Sequence, residues 1–153
     1  MGLGVRGETL VPRFAEAAIG NDIGLLLAKL RASGSLVNNK ALTELGLRER
    51  SYSVLRLACS GLDPTQRELA EFLELDPSQI VALVDELEGR GLIRREQGRT
   101  DRRQKIVLAT REGERLHAKA EAAIKECEAE QFSALAPDEL VALRMLLRKA
   151  LWG

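Results

Sequence analysis

Aromatic residues are scarce in this chain of 153 residues: three phenylalanines, one tyrosine and one tryptophan. An aromatic-rich core is therefore excluded, and Leu and Ala, both good helix formers, carry the apolar load instead. Histidine occurs once, as His117, and cysteine twice, as Cys59 and Cys127. A lone histidine and two distant cysteines without metal-type spacing cannot assemble a metal centre. The sequence offers no glycine-rich phosphate loop and no Ser or Cys paired with a His, so neither an enzyme nor a cofactor is expected. No long hydrophobic run is present. The longest apolar stretch, Ile23 to Ala28, is far too short to span a bilayer, and the polar, glycine-rich start from Met1 to Glu8 is unlike a signal peptide. A cytoplasmic protein without a membrane partner is the expectation. The cysteines then read as small buried hydrophobes in a reducing compartment, with a redox sensor as the alternative.

Net charge is also missing: 23 basic residues balance 23 acidic ones. Any polyanionic partner must therefore be met by a local concentration of positive charge. With 45% hydrophobic and 30% charged residues, the composition is that of a folded, mostly helical domain.

Residues 1–11 read as a flexible tail. From Pro12 the apolar residues Ile19, Ile23, Leu26, Leu27 and Leu30 recur at three- and four-residue steps, which predicts an amphipathic helix ended by Ser33-Gly34-Ser35. A second helical stretch spans Leu42 to Ala58, with a possible interruption at Leu45-Gly46-Leu47. Tyr52, Leu55 and Leu57 face its core side. After the turn at Gly61-Leu62-Asp63-Pro64, Thr65 and Glu68 form a capping box for a short helix to Leu73, with Leu69, Ala70 and either Phe72 or Leu73 inward. Asp76 caps the next helix, Pro77 takes its first position, Gln79 completes the cap and Gly91 closes it. The inward stripe of this helix is Ile80, Leu83, Val84 and Leu87.

Past Gly91 the period changes. Two short strands, Leu92 to Arg95 and Ile106 to Leu108, flank a polar loop and predict a hairpin. Helical periodicity resumes at Thr110 with Leu116, Ala120, Ala123, Ile124 and Cys127. Pro137 opens a last helix bearing Leu140, Leu143, Leu147 and Leu151.

A short helix, a tight turn, a longer helix and a hairpin make a winged helix-turn-helix. Its second helix is narrow enough to enter the DNA major groove, and its hairpin can reach adjacent phosphates or the minor groove. Local charge supports this reading. Residues 92–105 carry Arg94, Arg95, Arg99, Arg102, Arg103 and Lys105 against Glu96 and Asp101, a net +4 in a neutral chain.

At these residues the sequence resembles the MarR family of multiple antibiotic resistance regulators. The matching segments are Thr65-Gln-Arg-Glu-Leu-Ala70, Leu75-Asp-Pro-Ser-Gln-Ile80, Leu83-Val-Asp-Glu-Leu87, Gly91-Leu-Ile-Arg-Arg95, Asp101-Arg-Arg103 and Leu108-Ala-Thr-Arg-Glu-Gly113. The resemblance covers about residues 20 to 151. It implies a mainly α fold with a small β-hairpin wing, in which a winged helix-turn-helix DNA-binding lobe spans 36–111 and dimerisation helices span 12–35 and 112–153. The apolar first and last helices point the same way, since a small winged-helix core cannot bury both. A homodimer would set two recognition helices about 34 Å apart on a pseudo-palindrome in double-stranded DNA.

By the same resemblance, Thr65, Gln66 and Arg67 contact phosphate, Ser78 and Gln79 take base- or phosphate-facing positions, and Val81 and Ala82 are DNA-binding positions in the middle of the recognition helix. In the wing, Arg94, Arg95, Arg99, Arg102 and Arg103 meet the duplex, with Asp101 orienting an arginine through a bidentate pair. The family typically represses nearby genes and releases DNA on binding a small aromatic acid, for which Arg48, Arg50, Tyr52 and His117 are the candidate contacts. The chain departs from the family in its recognition helix. Val81-Ala82 replaces a frequent Thr-Arg, and Glu86 stands at a usually basic position. From Thr65 to Glu88 one arginine faces seven acids, a net −6. Attraction to phosphate must then come mostly from the wing, with few direct base hydrogen bonds and a larger share of shape readout. The alternative is a winged helix used for protein contact.

Overall fold

The computed structural model describes residues 13–153; the tail assigned to 1–11 lies outside them. The chain divides at Ser33/Gly34 into two units.

In the first unit, two single 3-10 turns, Arg13–Glu16 and Ala18–Asn21, precede the start of helix α1 (Ile23–Thr43). Asp22 caps α1, its Oδ1 accepting the Leu25 N–H at 2.7 Å. Ile23, Leu26, Leu27 and Leu30 are all exposed, so the unit leaves an apolar face uncovered.

α1 does not stop at Ser33-Gly34-Ser35 as the sequence suggests; it runs on to Thr43. Glycine in a helix costs only about 1 kcal/mol, and here it serves close packing. A Cβ on buried Gly34 would lie 2.7 Å from Oε1 of Gln131, and Ser35 Oγ donates to Glu49 at 2.6 Å. The real stop is Gly46 at φ +68°. Its N–H reaches the Thr43 carbonyl at 3.0 Å and the Leu47 N–H reaches Leu42 at 2.9 Å, a paired closure of the last turn that requires a left-handed residue.

The second unit continues with α2 (Glu49–Ala58), α3 (Gln66–Leu73), α4 (Pro77–Gly89), strands β1 (Ile93–Gln97) and β2 (Lys105–Ala109), α5 (Arg111–Gln131) and α6 (Pro137–Trp152). The capping signals act as read. Thr65 Oγ1 accepts the Glu68 N–H at 3.1 Å while Glu68 accepts the Thr65 N–H at 2.8 Å. Gln79 accepts the Asp76 N–H at 3.1 Å, and Gly91 closes α4 at φ +71°. Glu74 makes the tight turn between α3 and α4 in the same left-handed region, at φ 53°.

The core joins the end of α1, helices α2 to α5 and both strands, while α6 has no buried residue. Leu42, Leu47, Val54, Leu55, Leu69, Ile80, Val84, Leu87, Ile93 and Val107 are essentially sealed from solvent. Leu73, not Phe72, supplies the inward contact of α3; Phe72 is exposed. β1 and β2 pair antiparallel from Ile93↔Ala109 to Gln97↔Lys105. The hairpin base is docked onto the start of α3, where the Val107 N–H donates to the Pro64 carbonyl at 2.8 Å. Thr110 then caps α5 by accepting the Gly113 N–H at 3.1 Å and donates its own hydroxyl hydrogen to the Gly91 carbonyl at 2.6 Å. α6 leaves Val141, Met145, Leu146, Leu151 and Trp152 exposed. No described helix is long and apolar enough to cross a membrane.

Candidate nucleic-acid interface

The tip of the hairpin is shaped by Asp101. Its Oδ1 accepts the Arg103 backbone N–H at 2.9 Å, and its carbonyl accepts the Gln104 N–H at 3.1 Å. This is an Asx-type turn superposed on a four-residue turn. It puts Arg102 and Arg103 at the two central positions, both exposed. The Asp101 carboxylate thus holds an arginine backbone rather than forming the bidentate guanidinium pair expected from the sequence. With Oδ1 engaged by that N–H, the carboxylate does not present both oxygens to a guanidinium here. Gly98 closes the loop, its N–H donating to the Gln104 carbonyl at 2.7 Å, and a Cβ there would meet the Asp101 carbonyl at 2.5 Å.

The six basic residues of the hairpin are not equivalent. Arg102, Arg103 and Lys105 make no ion pair among the described residues. Arg94 is drawn to Glu96 at 2.7 Å and to the Ala109 carbonyl at 3.3 Å. Arg99 lies 3.6 Å from Asp63. Arg95, assigned to DNA by the sequence reading, is turned inward. Its side chain is 17% exposed and forks to Asp85 at 2.5 Å, to Glu88 and to Gln66 Oε1 at 2.6 Å. Its backbone N–H donates to the same Glu88 carboxylate at 3.1 Å. This N–H, followed by the guanidinium, holds the Glu88 carboxyl below its ordinary range. Arg95 is therefore a strut tying β1 to α3 and α4. It also offsets two of the seven acids that make α4 and its surroundings unfavourable to phosphate.

Strand alternation carries the signal that the reading by net charge missed. Ile93 and Arg95 share a face of β1, Ile93 is buried, and its neighbour two residues on must point toward α4.

On α3 and α4 the remaining expected contacts are placed as follows. Thr65 is half-buried in its cap. Gln66 is engaged by Arg95. Arg67 is exposed but pairs with Glu71 at 2.8 Å. Ser78, Gln79, Val81 and Ala82 are all exposed along the first half of α4. Acidic partners bind up α4 further, with Arg90 3.7 Å from Glu86.

The four candidate effector contacts separate into two groups. Arg48 and Arg50 flank the start of α2 and are exposed. Tyr52 on α2 and His117 on α5 come together, their rings stacked with centroids 6.1 Å apart and planes 16° from parallel. Tyr52 is 6% exposed. Its hydroxyl and the His117 Nε2 are both buried without a hydrogen-bond partner among the described residues. Burial raises the Tyr52 phenol pKa above its usual value, against the opposing pull of Arg56. Paired polar atoms left unsatisfied in a core carry a free-energy cost that a bound polar group can relieve.

Cys59 is half-buried and its thiol is pushed up to about 11, first by burial and then by Glu114. A thiol of that kind is a poor nucleophile at neutral pH, which counts against a redox switch at this residue.

A model of the MarR family matches residues 47–105, from the last turn before α2 to the start of β2. CouR from Rhodococcus jostii RHA1, solved with p-coumaroyl-CoA bound, is 42% identical. The match covers 89% of this chain and 96% of CouR, with a TM-score of 0.80. A MarR-family transcriptional regulator from Rhodococcus sp. RHA1 is 41% identical over the same shares, with a TM-score of 0.83. MarR from E. coli in its apo form shares the fold at 23% identity and a TM-score of 0.73, covering 85% of this chain and 97% of MarR. The winged helix-turn-helix described above and identity above 40% along nearly the whole length of two such proteins place this chain in the MarR family of transcriptional regulators.

Proposed function

We propose that the chain binds double-stranded DNA as a homodimer and represses transcription from a pseudo-palindromic operator. The observation that carries this reading is the hairpin tip, where the Asp101 turn projects two guanidinium groups that pair with no carboxylate among the described residues. Guanidinium groups on a narrow loop suit phosphate and the negative potential of a narrow minor groove. α4 enters the major groove, and Thr65, Gln66 and Arg67 lie along the adjoining phosphates. A second copy covers the exposed apolar residues of α1 (Ile23, Leu26, Leu27, Leu30) and of α6 (Val141, Met145, Leu146, Leu151).

The acidic surroundings of α4 favour a second reading, a winged helix that docks on protein. Arg95 weakens that case, because it neutralises Asp85 and Glu88 on the side of α4 that meets the hairpin.

The effector is an aromatic or phenolic compound, held where Tyr52 and His117 present their unsatisfied atoms. The structure of CouR with p-coumaroyl-CoA bound supports this chemistry, since that ligand joins a phenol to an anionic thioester carrier. Arg48 and Arg50, exposed at the start of α2, suit the anionic part. The protein acts in the cytoplasm, on the nucleoid when bound to DNA.

A gel-shift with the DNA upstream of the protein's own gene tests the proposal. Salt-sensitive retardation that is reversed by p-coumaroyl-CoA or a free phenolic acid supports both halves. No retardation at low salt contradicts DNA binding and favours the protein-docking reading. Retardation that no phenolic compound reverses contradicts the effector assignment alone.

A further inference from the structure

The outward stripe of α4 has almost nothing with which to hydrogen-bond a base. Positions 78, 81, 82 and 85 share that stripe by helical spacing, and they are Ser78, Val81, Ala82 and Asp85, all exposed. Bidentate reading of guanine needs Arg or Lys, and of adenine Asn or Gln. α4 contains no Arg, Lys or Asn. Its one glutamine, Gln79, has its Oε1 occupied by the Asp76 N–H at 3.1 Å. The nearest glutamine of α3, Gln66, has its Oε1 occupied by Arg95 at 2.6 Å. An adenine contact uses the amide oxygen and nitrogen together, so both residues lose it. Carboxylates that might accept from cytosine are also committed, Asp85 to Arg95 at 2.5 Å and Glu86 to Arg90 at 3.7 Å.

What remains are methyl groups. Val81 is 40% exposed, so its methyl groups are accessible on the surface of α4. With Pro77, Ala70 and Leu75 it borders an apolar hollow of about 440 Å3 between α3 and α4.

We propose that Val81 and Ala82 select thymine by packing against its 5-methyl group in the major groove, so that apolar contact is the base discrimination of α4. The inference rests on the DNA-binding reading above and specifies how that surface chooses a sequence. The methyl group marks one edge of an A·T pair and is absent from cytosine, so an apolar helix face can tell T from C and fix the orientation of the pair. Ser78, the one free hydroxyl of the stripe, adds a bond that either kind of pair can accept.

The test begins with selection of bound duplexes from a randomised pool by the full-length chain at low salt. Each thymine of the selected half-site is then replaced by deoxyuridine, which removes only the methyl group. At one or two positions affinity is expected to fall about fourfold, the factor that corresponds to ~0.8 kcal/mol per buried carbon group. The Val81→Ala variant is expected to bind the thymine and deoxyuridine duplexes alike at one of those positions, while its melting temperature stays at the wild-type value. Indifference of the wild-type chain to deoxyuridine at every position overturns the proposal. So does full discrimination retained in both Val81→Ala and Ala82→Ser. A chain that selects no duplex overturns the DNA-binding reading and this inference with it, whereas tight selection without methyl discrimination overturns this inference alone.

Discussion

Arg95 and Glu88 hold one another twice: the backbone N–H and the guanidinium of Arg95 both donate to the same carboxylate. The strand that leads into the wing is thereby pinned to the last full turn of α4. Arg95→Ala is expected to lower unfolding stability by about 1–2 kcal/mol, given charge-assisted bonds to partners that are partly solvated. Arg95→Lys recovers only part of this, since an ammonium donates from a single nitrogen and cannot span acceptors set around a planar guanidinium. The same interaction makes stability depend on pH. Because Glu88 is held below its ordinary range in the folded state, its contribution is complete above the unfolded value of about 4.3 and is lost as pH falls through the lowered folded value. Urea unfolding measured between pH 7 and pH 3 should show a shallower acid loss in Glu88→Gln than in the wild type. Equal slopes would remove Glu88 from the account.

Gly113 meets Leu92 more closely than any side chain allows. A Cβ on Gly113 would lie 1.9 Å from the Leu92 carbonyl oxygen and 3.3 Å from Leu55. The backbone there is already fixed by the Thr110 cap, so it has little freedom to withdraw. Gly113→Ala is expected to cost about 3 kcal/mol or more and to yield a chain that melts far below the wild type. A melting temperature within a few degrees of wild type would show that α5 can shift away from the hairpin.

Tyr52→Phe separates stability from sensing. Deleting a buried hydroxyl that lacks a partner is expected to leave the free protein as stable as before, or up to about 1 kcal/mol more stable. The thermal shift produced by a phenolic ligand should shrink at the same time. Loss of stability without ligand, with an undiminished ligand-induced shift, would make Tyr52 a plain core residue.

Cys59 should be inert. With its thiol pushed up to about 11, less than one molecule in a thousand is thiolate at neutral pH. Labelling of the native protein at pH 7.5 by a thiol reagent is expected to modify Cys59 only after unfolding. Fast modification of native Cys59 would reopen the redox alternative.

Local devices were legible in the sequence because their partners lie three or four residues away. Thr65 with Glu68, Asp76 with Pro77 and Gln79, Gly91, and Thr110 with Gly113 each announce an element boundary, and the boundaries fall where those residues stand. Devices that depend on a distant partner were not legible. Gly34 looks like a helix breaker until Gln131 is seen against it. Arg95 looks like a phosphate ligand until Asp85, Glu88 and Gln66 close around it. The stacking of Tyr52 on His117 joins α2 to α5 across the core and has no counterpart in local spacing. Within the candidate interface, charge located the wing; strand alternation turns Arg95 inward beside Ile93, and the fold supplies the partners that close around it.

The most direct test of the account is the salt dependence of operator affinity in the wild type and in the Arg102→Ala/Arg103→Ala double variant. Both side chains are exposed, so the variant should fold normally. Its affinity is expected to fall at least tenfold at 100 mM salt. The slope of log affinity against log salt should decrease by roughly 0.9 for each phosphate that the variant no longer neutralises. An unchanged affinity and slope in a correctly folded variant would contradict the claim that these two arginines grip the duplex.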